Sequence, residues 1–450
     1  MKFSLDKSLM ISLCIFAVIS FIFRVAANVF LGVSVLVFLI ITYNNKGINL
    51  NSDKVPYFNA IGIFAGTLFV SALFSGNIGA GLKVWADFFL WRFMPFMIVL
   101  FIFDNKSKVE SILYATLGGF LIDCLFAIYQ GVFVYKLNIA HGRAAGFVGH
   151  PMTLAGWECI LLPVLLVFIY RRDIAGRFYV GIASLFAVGS IALVFNSTRG
   201  AWLALVIVLP LMSIPFILKS KKVFMIFTLI ILVLGVAIVS SSSFMNRISS
   251  ISNTKTNWSN TSRFIIWDTA YGIFKEHPVF GIGLGQFKLE YKNKFTISEK
   301  MQKDANEYHK YVKNKKANKL TREQKAISKE KLKHLENVNR KVWEYKELRK
   351  LDHAHNNFLQ MLAENGLVGL FGYICAFSYI LWHNIKNYFT NKNPYALMIV
   401  GSTGALLLQG LTEYNFGTGA VMKLYWLVLA CLIVLASHYN KEENCDKILQ

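Results

Sequence analysis

The chain has 450 residues, 55% hydrophobic and only 16% charged, with a formal net charge of +22. A water-soluble chain of this length needs far more polar surface, so the composition excludes an ordinary soluble enzyme and implies a polytopic membrane protein. The positive excess reads as loop charge plus one basic extramembrane segment, which points to anionic lipid or glycan as partners and to no nucleic acid.

Apolar runs long enough to cross a hydrocarbon core of roughly 30 Å lie near 8–23, 25–43, 57–74, 86–103, 109–135, 153–170, 178–195, 201–218, 223–240, 358–385, 395–413 and 420–438. Backbone groups in lipid must be satisfied internally, so these runs predict helices. The expected fold class is therefore an all-α polytopic membrane protein of about 12 transmembrane helices with one large, mostly helical loop. Nine spans fill 1–240, the loop covers 241–357, and three spans with a short tail fill 358–450. Lys2 and Lys7 precede the first run without a cleavage-site pattern, so that run reads as a membrane helix rather than a signal peptide. The six cysteines show neither a disulfide framework nor metal-ligand spacing.

Lysine and arginine in alternate short connections set the orientation. One side carries sixteen, from Lys2 and Lys7 through Arg171, Arg172 and Arg177 to Lys441 and Lys447, and the other only five: Arg24, Lys83, Lys136, Arg143 and Arg199. Both termini are expected to be cytoplasmic, and the long loop to face outward.

Within that loop, 240–262 is rich in Ser, Asn and Thr and reads as irregular. Residues 262–276 predict an amphipathic helix with Thr261 or Ser262 as N-cap. Gly281, Gly283 and Gly285 predict a tight turn, or one bringing backbone N–H groups near a phosphate; they lack the strand–helix context of a dinucleotide fold. From 286 to 351 the chain predicts a helical hairpin broken near 316–321, where Thr321 and Gln324 have capping-box spacing. The apolar stripe Leu335, Val338, Val342 and Tyr345 gives its second arm a packing face. Residues 241–352 hold 24 Lys and Arg against 12 acids, a face that is either simply solvated or attracted to anionic headgroups.

Topology sorts the polar residues. Arg143, His141 and His150, then Arg199, Arg263, His355, Glu413 and Tyr414, all fall on the outer side, where the charge bias disfavours arginine. Each alone reads as a helix-end charge; together they suggest one anionic site. Guanidinium groups grip phosphate oxygens in pairs, and a histidine can take a proton from an attacking hydroxyl. Such a set suits a lipid diphosphate donor and a hydroxyl acceptor, with fixed cations meeting the charge of the leaving diphosphate. No D-x-D pair is present to hold a metal. His353 and His355, two apart, would diverge on a helix, which argues against a metal pair, so no metal and no cofactor is expected. Inside the spans, the acids Asp87, Asp123 and Glu158 read as pairing with Arg92 or backbone groups or as marking a cation pathway, with structural pairing favoured for Asp87 and Asp123. Glu158 reads as bordering an outward-facing cavity.

Arg199-Gly-Ala-Trp-Leu203 together with His355-Asn356 and the following Gly366 and Gly369 resembles the O-antigen ligase family, within the larger group of O-antigen ligases, O-antigen polymerases and protein O-oligosaccharyltransferases. Gly142–Phe147 leading to His150-Pro151, and His277-Pro278 leading to Gly285, support the likeness, which runs from about 140 to 375. The resemblance implies metal-independent, inverting transfer of polysaccharide from undecaprenyl diphosphate to a sugar hydroxyl of lipid A–core, at the periplasmic face of a bacterial inner membrane. It implies His355 as the base that activates the acceptor and Arg199, Arg263 and Arg143 as diphosphate-binding residues. His150, Asn356 and Glu413 are supporting residues, with Asn356 and Asn357 orienting or capping groups and Gly366 and Gly369 permitting close helix packing. The lysine-rich stretch 288–351 departs from the family pattern. A polymerase joining carrier-linked repeats fits the same motifs. A polyprenyl-glycan flippase or ion-coupled transporter would call for internal repeats and mid-membrane polar residues, and a headgroup-binding scaffold for the basic loop alone.

Overall fold

A computed structural model describes residues 5–45, 54–138, 142–171, 176–218 and 258–448, with Met245 and Ser249 between the last two stretches. The described chain is helical, with no strand among those residues. The helices before the long loop are α1 (Leu5–Ile19), α2 (Arg24–Asn44), α3 (Val55–Leu73), α4 (Ile78–Ala86), α5 (Met94–Ile102), α6 (Lys106–Tyr129), α7 (Pro151–Tyr170), α8 (Gly176–Asn196) and α9 (Arg199–Ile217). The hydrophilic region holds α10 (Trp258–Glu276), α11 (Phe287–Lys294), α12 (Glu299–Lys316), α13 (Arg322–Lys325) and α14 (Lys329–Leu348). Then come α15 (Asn357–Asn391), α16 (Pro394–Gln409) and α17 (Gly419–Ile448).

Nine described helical stretches are long and apolar enough to cross a membrane. The shorter α1 and α16 coincide with two further expected spans, and the expected span at 223–240 lies outside the described residues. This is a multi-pass membrane protein. Its outward-facing side chains are those of a lipid-immersed bundle: Val29, Leu36, Val206, Leu211 and Phe371 are all exposed. The bundle centre is α7, with every residue from Thr153 to Phe168 buried.

Three elements differ from their sequence expectation. The span expected at 86–103 begins eight residues earlier, at Ile78, where Asn77 accepts the Ala80 N–H at 3.1 Å as an N-cap. It contains a π-helical turn, Asp87–Trp91, across which Arg92 Nε donates to Asp87 at 2.7 Å. The helix expected over 262–276 is described from Trp258 onward, so Thr261 and Ser262 lie inside it and not at its N-terminus. Trp258 packs at a tilt against Trp343 of α14, with ring centroids 5.1 Å apart, a tertiary contact that extends the helix past its local signals. Gly366 is not a helix-packing glycine: it breaks α15 at φ 60°, while Gly369 lies against Leu68 of α3.

The break has a partner. Leu367 and Val368 N–H donate to the carbonyls of Pro278 and Val279, and Ile282 and Gly283 N–H donate to those of Ala363 and Glu364. The glycine-rich turn thus docks on the interrupted helix, with Gly281, Gly283 and Gly285 at φ between 68° and 102°. A Cβ at Gly281 would overlap the backbone of Glu364 and Asn365, so only glycine allows this approach. Its amides are engaged with α15, which favours the tight-turn reading over a phosphate cradle.

A second hydrophobic cluster, separate from the bundle core, joins Ile266, Ala270 and Ile273 of α10 with Phe287, Tyr291, Leu348, Ala354 and Ala363. It fixes α10 against the entry to α15. In the insert, α12 and α14 form a hairpin bridged by α13, whose N-terminus carries a complete Thr321–Gln324 capping box.

Candidate active site

The entry to α15 is built by two asparagines. Asn356 caps the helix, its Oδ1 accepting the N–H groups of Phe358 and Leu359 at 2.9 and 3.0 Å. Its Nδ2 donates to Leu411 O at 2.9 Å. Asn357 Nδ2 donates to Asn415 Oδ1 at 2.7 Å and to Tyr373 Oη at 3.1 Å, while its Oδ1 accepts the Phe416 N–H. These bonds staple the entry to the 410–418 turn, which Arg92 also holds by donating to Gly417 O at 2.7 Å. Replacing Asn357 by alanine strands several buried polar groups, at roughly 1–3 kcal/mol each. The expected result is a lowered midpoint in thermal unfolding of the detergent-solubilised protein, and an unchanged midpoint would contradict the staple.

The staple brings His355 to Glu413. His355 Nδ1 lies 3.2 and 3.3 Å from the two carboxylate oxygens. Glu413 is buried, His355 half-buried. With Nδ1–H donated to the carboxylate, Nε2 keeps its lone pair. His355 sits at φ 47°, an uncommon conformation for a residue other than glycine. Its neighbour Ala354 is tied on both sides: the N–H to Gln360 Oε1 at 2.7 Å and the carbonyl to Trp267 Nε1 at 2.9 Å.

Burial alone would raise the Glu413 carboxyl. The His355 hydrogen bond and the charges of His355, His353 and Arg263 outweigh it and hold the group down at about 2. His353 is pushed down to about 4 by burial first and then by His355, against the pull of Glu413 and Asp352. His353 is neutral at physiological pH, and its Nδ1 accepts the His355 N–H at 3.2 Å.

Arginines surround this pair. Arg143, Arg199 and Arg263 line one narrow cleft with Met152, Thr198, Ser259, Gln409, Thr412 and Glu413. Arg199 is buried at the start of α9 and donates to Ser259 of α10 at 3.3 Å. Arg263, one turn further along α10, has its guanidinium pulled below the usual range by burial and raised in part by Glu413; it stays cationic. Arg143 donates through Nε to Asn196 O at 3.1 Å and through a terminal nitrogen to Thr198. It therefore braces the turn that presents Arg199, a turn in which Ser197 has φ 56°. His150 precedes α7, its Nδ1 3.3 Å from Thr153 Oγ1. Burial lowers it, Glu413 opposes that, and Arg24, Arg143 and His355 add to it, so all share one electrostatic field.

The structure thus gathers Arg143, Arg199, Arg263, His150, His355, Asn356 and Glu413 at one end of the bundle. His141 lies outside the described residues. Glu158 is a correction: it is wholly buried, has no hydrogen bond among the described residues and does not line the cleft. It sits deep in α7, where all sides are packed. A second correction concerns His353 and His355. Both precede α15 in non-helical chain, so they do not diverge; their rings are 4.2 Å apart. With Glu413 they offer ligand atoms within 4.8 Å of one another, a set able to hold a metal ion.

Four residues of this neighbourhood escaped the sequence reading. Arg24 donates to Thr153 at 3.2 Å, and its place among the outer-side arginines was the available signal. Ser259 and Thr412 carried none. Glu364, buried beside the break in α15, accepts the Phe287 N–H at 3.0 Å and anchors the glycine turn.

Comparison with known proteins agrees with the motif resemblance. A search among curated proteins finds no match to the chain. Residues 182–312, which include Arg199 and Arg263, match the family described as O-antigen ligase, which supports a glycan-transfer function of the general ligase or polymerase type. Over residues 182–312 the chain is thus similar to the O-antigen ligase family.

Proposed function

We propose that the protein is an O-antigen ligase, moving polysaccharide from undecaprenyl diphosphate to a sugar hydroxyl of lipid A–core at the periplasmic face of a bacterial inner membrane. The 241–357 loop then lies in the periplasm and both termini in the cytoplasm. The observation that carries the reading is the His355–Glu413 contact beside a cleft lined by three arginines.

His355 Nε2 takes the proton from the acceptor hydroxyl as its oxygen attacks the anomeric carbon of the donor glycan. The bond from that carbon to the diphosphate oxygen breaks, and attack from the opposite face inverts the centre. Undecaprenyl diphosphate leaves with the bonding electrons. Arg199 and Arg263 meet its developing charge, with Arg143 bracing Arg199 and contributing to the field. Glu413 holds the imidazole and stabilises the imidazolium that forms. His150, at the start of α7, shares the electrostatic field of these groups. No step is assigned to a metal or cofactor.

The ligase and polymerase readings separate in cells lacking the protein. The ligase reading expects lipid A–core without long polysaccharide, and carrier-linked polymer of normal length distribution accumulating. Single repeat units on the core would instead show that the missing activity is polymerisation. Gel profiles of the lipopolysaccharide and of the carrier-linked pool make the measurement. The flippase reading gains nothing from the geometry, because the gathered polar residues lie at one end of the bundle.

A further inference from the structure

The helical insert holds a cavity that the transfer chemistry does not use. It lies between α12 and α14, has a volume of about 320 Å³, and is lined by Tyr308, His309, Glu336, Asn339, Arg340 and Trp343, among others. That volume is within the range of small-ligand sites, roughly 300–1,000 Å³. Trp343 is 51% exposed although its ring packs against Trp258. It gives the groove an apolar face with a polar N–H at its edge.

The polar lining is uncommitted. Among the described residues, no hydrogen bond or ion pair engages the side chains of His309, Glu336, Asn339 or Arg340. Glu336 and Arg340 stand four apart on one helix, a spacing that usually pairs such charges, and they do not pair. An indole face ringed by an amide, a carboxylate and a guanidinium matches a sugar ring, which offers an apolar C–H face and a rim of hydroxyls. The surplus of lysine and arginine over 241–352, 24 against 12 acids, adds a preference for acidic or phosphate-bearing sugars.

A chain of side-chain contacts links the cavity to the candidate active site. Trp343 packs against Trp258; the next residue, Ser259, accepts from Arg199; Arg263 follows one turn later on the same helix. We infer that the insert binds an acidic oligosaccharide segment of a glycan substrate, at sugar units remote from the reacting carbon. The inference rests on the glycan-transfer reading and names where that substrate extends. Two sources share this chemistry: the donor polysaccharide and the acceptor core.

The test uses the full-length protein in detergent and two probes, polysaccharide released from its carrier and core oligosaccharide released from lipid A. Binding is followed by saturation-transfer NMR and by calorimetry. Wild-type protein is expected to bind one of the two, and that probe identifies the source. Trp343→Ala and Asn339→Ala are each expected to weaken binding about tenfold. In transfer assays both groove variants raise KM for the same substrate more than they lower kcat. Asn339→Ala leaves the Trp258–Trp343 contact intact, so it reads the groove even if Trp343→Ala misfolds. Binding of neither probe, or binding of equal strength in the folded groove variants, overturns the inference. A polymerase pattern in cells with groove binding retained overturns only the ligase reading.

Discussion

Glu413→Gln is expected to lower single-turnover transfer by roughly 10²–10⁴-fold while leaving the protein folded and inserted. Glutamine keeps the shape and can still face His355 Nδ1, so the change isolates the negative charge. That charge lies 3.2 Å from Nδ1 in a buried setting, where it opposes proton loss from the imidazolium more strongly than it would in water. The same carboxylate faces His353 and Arg263, and all three histidine and arginine partners help hold it ionised. Glu413→Asp keeps the charge one methylene further back and is expected to recover part of the loss. The measurement is transfer of labelled polysaccharide to core lipid by purified protein, with thermal unfolding run in parallel. Activity of Glu413→Gln within tenfold of wild type would remove the anion from the mechanism and leave it a structural role.

The site's membership was more legible in the sequence than its wiring. Arg143, Arg199, Arg263 and Glu413 could be assigned to one end of the bundle because span length and loop charge are local quantities. Their contacts are not local. His355 reaches Glu413 across 58 residues only because Asn357 ties the 410–418 turn to the helix entry. Gly366 followed by Gly369 reads as helix packing, yet the first is a break at φ 60° created by pairing with 278–283. Trp258 lies outside any local helix signal because its reason is Trp343, far along the chain. The hydrophobic spans needed no such partner: apolar length alone demands a helix in lipid, whatever it packs against. Glu158 shows the converse error, since depth along a span says little about which side of the helix meets a cleft.

Arg199→Ala and Arg263→Ala are each expected to cost roughly 10²–10³-fold in kcat, the usual loss when one fixed donor to a developing anion is removed. The effect falls on kcat more than on KM because the diphosphate gains charge as the glycosidic bond breaks. Lysine at either position is expected to recover little, since a point charge cannot reproduce a planar two-pronged grip. The two residues come from different helices, α9 and α10, and line one cleft. If they hold the same diphosphate, the double alanine variant loses less than the product of the single losses. Arg143→Ala makes the contrast. Its bonds to Asn196 and Thr198 brace the turn, so its loss is expected to lower thermal stability together with activity. Single variants at Arg199 and Arg263 that both stay within tenfold of wild type would move the diphosphate out of this cleft. Additive losses would place the two guanidinium groups on separate tasks.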